Sequence, residues 1–164
     1  MRNFRSVLAL STATTAALVV TVTSAGPALA SGHSILREDF EGIAGANDLV
    51  NPSQPIAGVN AGGAPWVVDE GSAVRVREDG RITVSVRGLI IPGRGNPVGM
   101  MAASLVCDGM VFDSTEPFAV SPDGNGGIED RIASTDDCDD PIVLVRAATD
   151  PAALGNYFAV AMDD

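Results

Sequence analysis

The chain of 164 residues has one His, one Trp, one Tyr and two Cys, and all ten of its basic residues are Arg. Each scarcity excludes something. Nucleophilic catalysis of the Ser-His-Asp or Cys-His kind needs an imidazole on the scaffold to take the proton. The only one is His33, in a stretch with little folding signal. A cleft that stacks sugars on aromatic faces is poorly supplied by a single Trp and a single Tyr. There is no C-x-x-C pair and no His beside either Cys, which argues against a redox dithiol or a zinc site. No stretch sustains a helical period, no internal repeat stands out, and after residue 22 no apolar run is long enough to span a bilayer. The missing Lys carries no functional reading.

What is present begins with an export segment. Arg2 and Arg5 form a short positive region, Val7 to Val22 is largely apolar, and Ala28-Leu29-Ala30 is a small-x-small cleavage site, so residues 1–30 read as a signal peptide. The two arginines are not adjacent, which argues against the twin-arginine route, and no Cys lies near the cleavage site for lipid attachment. With a polar end at Met162-Asp163-Asp164, the expected product is a soluble, secreted, extracellular protein without a membrane span. Its formal charge is −11, and loss of the two signal arginines takes it to −13. That acidity argues against nucleic acid or an anionic membrane as partner. In an exported chain the two cysteines predict one disulfide, Cys107 to Cys138, worth roughly 3 to 4 kcal/mol on the chain-entropy model.

Residues 31–61 are rich in Gly, Ala, Asn and Pro and read as an arm, in which Ser34 to Phe40 forms either a helical turn or an edge strand. Residues 62–164 read as a β-sandwich domain. Its most secure strand lies in Arg81 to Ile91, where Ile82, Val84, Val86 and Ile90 alternate with Arg81, Thr83, Ser85 and Arg87. Upstream, Val74 and Val76 alternate with Arg75 and Arg77. Pairing Val76 with Ile82 and Val74 with Val84 keeps charge off the core face, and it requires a three-residue loop with Gly80 in the left-handed region. A second hairpin, Met100 to Cys107 with Met110 to Thr115, turns on Asp108-Gly109. Parity pairs Leu105 with Phe112 and Cys107 with Met110, placing Met101, Ala103, Leu105, Cys107, Met110 and Phe112 on the core face. Trp66-Val67-Val68, Pro117 to Val120, Ile128 to Ala133, Ile142 to Val145 and Tyr157 to Met162 supply further strands. The expected fold is all-β, an antiparallel two-sheet, immunoglobulin-like sandwich of eight or nine short strands.

The runs G-G-A-P-W-V-V-D-E-G, G-R-I-T-V-S-V-R-G-L-I-I-P, A-A-S-L-V-C-D-G, S-P-D-G-N-G and C-D-D-P-I-V-L-V-R resemble those of small exported bacterial proteins of uncharacterised function. They are similar, more loosely, to immunoglobulin-like and transthyretin-like sandwiches. The resemblance implies a fold and an exported location. It transfers no activity, because the shared motifs are turns and strands.

Four sets of residues are candidates for chemistry. Arg75, Arg77, Arg81 and Arg87 share the outward face of the first hairpin and would meet an anionic extracellular protein or glycan, unless they are only a solvated face covered by Glu38, Asp39 and Glu41. Asp136, Asp137, Asp139 and Asp140 surround Cys138, and a disulfide would hold these carboxylates together as oxygen ligands for Ca(II). A solvated acidic loop is the plainer alternative. Asp123 to Ser134 fails the EF-hand pattern, since Ile128 stands where Gly is needed and Ser134 where Glu is needed. If cleavage follows Ala30, the new terminus Ser31-Gly32-His33 offers an amine, two amides and an imidazole in the square-planar arrangement that Cu(II) and Ni(II) prefer. No resident cofactor is expected. The leading expectation is a secreted, non-enzymatic binding module, and the alternative is a small carboxylate-based hydrolase, for which two acids would have to meet in a cleft. Nothing in the sequence sets the oligomeric state.

Overall fold

The computed structural model describes residues 32–135, 137–149 and 153–163, so the predicted signal peptide, Ser31 and Asp136 lie outside the described residues. Two alternating runs build the first sheet. β3 (Ala73–Arg77) and β4 (Arg81–Val86) pair with Val74 opposite Val84 and Val76 opposite Ile82, and Gly80, at a φ of 79°, closes the three-residue loop as expected. All four inward side chains are buried. β1 (Ser34–Asp39) lies against β3, and β8 (Gly126–Arg131) against the other side of β4, giving the order β1-β3-β4-β8. β4 is shorter than its sequence pattern. It ends at Val86, because Gly88 turns the chain at a φ of 57°, and Ile90 pairs instead with Val67 in an isolated bridge. That bridge is all that forms of the strand expected at Trp66 to Val68.

The second sheet is built from apolar runs. β5 (Met100–Cys107), β9 (Ile142–Ala147) and β10 (Tyr157–Met162) lie side by side. At the margins are β2 (Glu41–Gly42) beside β10, and β6 (Met110–Ser114) and β7 (Phe118–Ala119) beside β5. Every pairing between strands is antiparallel, and no helix occurs among the described residues. The described residues therefore form an antiparallel two-sheet β-sandwich of ten strands, one or two more than the turn spacing predicts.

The extra strands come from the segment read as an arm. Leu36 stands opposite Val76 and is buried with Phe40 and Ile43, and Glu41 and Gly42 pair with Val160 and Ala159. Residues 60–62 then run alongside β10, where Ala61 forms a bridge with Tyr157. There the Tyr157 amide donates to the Asn60 carbonyl, the Gly62 amide donates to the Tyr157 carbonyl, and Ile56 borders Val160. Consecutive residues of β5 and β9 are buried, so both faces of these strands are covered, which is why their runs are apolar instead of alternating. Trp66 stacks on Phe158 with ring centroids 4.3 Å apart and closes this side of the core.

Candidate functional site

The outward face of the first sheet follows from its register. Residues directly opposite across a ladder share a face. The inward set of Val74, Val76, Ile82 and Val84 therefore leaves Arg75, Arg77 and Arg81 on the outside, where they were expected. The neighbouring strands add two arginines that pattern reading missed. Arg37 of β1 stands opposite Arg75, and Arg131 of β8 stands opposite Arg81. Arg87 lies past the end of β4, roughly 20 Å from Arg81 along the strand at about 3.3 Å per residue, so it belongs to the far end of the face. Nothing short of strand order would have found Arg37 and Arg131, since they lie about 40 and 50 residues from the hairpin positions they oppose.

Asp79, in the loop between β3 and β4, organises one end of this face. Its carboxylate lies 4.0 Å from Arg81 Nη2 and 3.6 Å from Arg131 Nη2, it accepts the Arg81 amide at 3.1 Å, and its carbonyl accepts Arg131 Nη1 at 2.8 Å. Among the described residues Arg37, Arg75 and Arg77 make no ion pair. The acids expected to cover them are placed differently. Glu38 faces inward opposite Val74, Glu41 belongs to the second sheet, and Asp39 alone shares the outward face, opposite Ala73.

Cys107 and Cys138 form the expected disulfide, with Cα atoms 5.1 Å apart. It pins the acidic loop against the turn from β5 to β6, where the Asp108 amide faces the Asp139 carbonyl at 3.4 Å. Among the described residues no three acidic, His or Cys side chains converge, and Asp137, Asp139 and Asp140 are exposed.

Beside the disulfide lies a cavity of about 470 Å³, walled by Met110, Phe112, Thr135 and Cys138 and including Asp108 and Asp137. Its existence corrects the expected core face. Asp108 and Gly109 both have positive φ, 52° and 73°, and Cys107 opposes Met110 as the two-residue turn requires. The ladder then shifts register between Leu105 and Val106, so Leu105 meets Asp113 instead of Phe112. Met110 and Phe112 are left 70% and 47% exposed, which removes both from the core. Two carboxylates in a cleft are what a hydrolase would need, but Asp108 and Asp137 are both exposed.

His33 is held by its backbone. Its amide donates to Glu78 Oε2 at 3.3 Å and its carbonyl accepts the Glu78 amide at 3.0 Å. A square-planar ion at Ser31-Gly32-His33 takes the His33 amide nitrogen as a ligand, so it would have to displace the Glu78 carboxylate. Ser31 itself lies outside the described residues.

On the other sheet Arg146 is cradled by neutral acceptors. It donates to the carbonyls of Gly155 and Leu154 at 2.9 and 2.8 Å and to Ser104 Oγ at 3.2 Å, and partial burial lowers its pKa from the usual guanidinium value. Its role is to tie the 154–155 loop to β5. No protein-family model, curated protein or solved structure matches the chain.

Proposed function

We propose that this is an exported, non-enzymatic binding module that holds an anionic extracellular protein or glycan on the arginine face of its first sheet. The observation that carries the reading is the direct opposition of Arg37 to Arg75 with no carboxylate partner among the described residues, next to the opposed pair Arg81 and Arg131. Like charges set directly across a ladder destabilise a sheet. Asp79 offsets the charge of Arg81 and Arg131, but Arg37, Arg75 and Arg77 have no ion-pair partner among the described residues, and an anionic ligand supplies that counter-charge. Arg is suited to this because its planar fork meets carboxylate or sulfate with two parallel hydrogen bonds. Export is supported by the signal-like residues 1–30 together with the disulfide, a bond of oxidising compartments.

The test is titration of the purified protein with a sulfated oligosaccharide and with a poly-glutamate peptide at low and physiological salt. Wild type is expected to bind at least one of them, and the triple variant Arg37→Gln, Arg75→Gln, Arg77→Gln to bind at least tenfold more weakly. The same variant should melt no lower than wild type, since it removes repulsion. Equal affinities in the two proteins, or a clear loss of stability in the variant, would sink the reading.

A further inference from the structure

The two sheets have four outer edges, formed by β1, β8, β2 and β6. Three of them are protected in the usual ways. β1 carries Arg37, Glu38 and Asp39, β8 carries Glu129, Asp130 and Arg131, and β2 is only two residues long. β6 differs. Met110, Val111 and Phe112 are consecutive, apolar and 70%, 38% and 47% exposed, and the 470 Å³ cavity opens beside them. Its backbone is also available. Cys107 and Met110 flank a two-residue turn and so exchange both ladder hydrogen bonds, which makes the next pair, Val106 and Val111, a non-bonded one. The N–H and C=O of Val111 accordingly point away from β5, toward the open edge.

We propose that the β6 edge docks an extended segment of another protein as an added strand, with an apolar side chain of that segment in the cavity and a Lys or Arg against Asp108 and Asp137. Strand addition matches what the edge offers, namely main-chain groups for affinity and a side-chain pocket for specificity. Charge selects the occupant. The cavity includes two acidic side chains and no basic one, in a chain that is acidic overall. The same charges argue against a second copy of this chain, because pairing β6 with itself would bring Asp108 and Asp113 of both copies together. The site is on the opposite sheet from the arginine face and stands or falls independently of it.

The probe is a capped octapeptide of alternating Val and Thr with one central Phe and an Arg at each end, followed by fluorescence anisotropy. Saturable binding is expected, with amide shifts in the NMR spectrum confined to residues 110–114 and 134–138. Val111→Pro, which removes the outward N–H while sparing the bonds to β5, should weaken it about tenfold, and Asp108→Asn with Asp137→Asn by a similar factor. The arginine-face triple variant should bind the peptide as wild type does. If Val111→Pro fails to fold, the peptide N-methylated on alternate amides serves the same purpose on the wild type. Unchanged affinity for the methylated peptide, or for a folded Val111→Pro, would overturn the proposal. So would sedimentation showing a dimer that Val111→Pro abolishes while the peptide fails to bind, since the occupant would then be a second copy.

Discussion

Tyr157 joins the ends of the folded chain through one atom. Its hydroxyl donates to the carbonyl of Gln54, 103 residues earlier, and so ties that part of the chain to the second sheet. Burial disfavours the phenolate, which raises the Tyr157 pKa above its ordinary value of 10.0. As pH rises past about 10, the unfolded chain loses this proton before the native state does. The contribution of Tyr157 is therefore complete below that point and declines as pH climbs through the raised value. Urea unfolding of Tyr157→Phe at pH 8 is expected to show a loss of about 1 kcal/mol, the net worth of one hydrogen bond. Between pH 8 and 10.5 wild type should lose stability toward the variant, and since this is the only Tyr, no other phenol confuses the comparison. Parallel curves at the two pH values would show that the phenol does not titrate differently on folding.

At the scale of the element, β1 is where the sequence was least legible. Period-2 reading relies on apolar residues alternating with polar ones, and in β1 the inward positions are Leu36 and Glu38, so the signal breaks after one residue. Glu38 is tolerated there because β1 is an edge strand and the position is half-buried. The structural status of β1 makes a prediction that an arm would not. Leu36→Ala should destabilise the protein by about 2 to 4 kcal/mol, read from the urea midpoint, as for other buried Leu truncations. An effect within about 0.5 kcal/mol would mean that this strand contributes nothing. β6 was misread for a related reason. Parity counts only whole steps along the ladder, and one register shift after Val106 is enough to send Phe112 outward.

At the scale of the molecule, the disulfide joins residues 31 apart and ties the acidic loop to the second sheet. Closing a loop of that size is worth roughly 3 to 4 kcal/mol, and for a domain of this size reduction should lower the melting temperature by on the order of 10 °C. Thiol labelling of the denatured, unreduced protein should find neither Cys107 nor Cys138 reactive, and labelling of both would refute the cross-link. Charge is also arranged at this scale. Arginine gathers on the outer face of one sheet, while the cavity beside the other includes Asp108 and Asp137. The two binding proposals therefore call for partners of opposite sign.

Local chemistry was enough to determine the all-β class, the register and loop of the first hairpin, the two-residue turn of the second, the strand from Tyr157 to Met162 and the pairing of the two cysteines. Each of these depends on residues close in sequence, on left-handed glycines, or on there being only one way to pair two thiols. The tertiary structure alone decided that residues 34–42 supply strands to both sheets, that Arg37 and Arg131 join the arginine face, and that Met110 and Phe112 line a cavity instead of the core. Those outcomes depend on which distant strand lies alongside which, and strand order is set by the burial of whole faces, a property that no local run of residues carries.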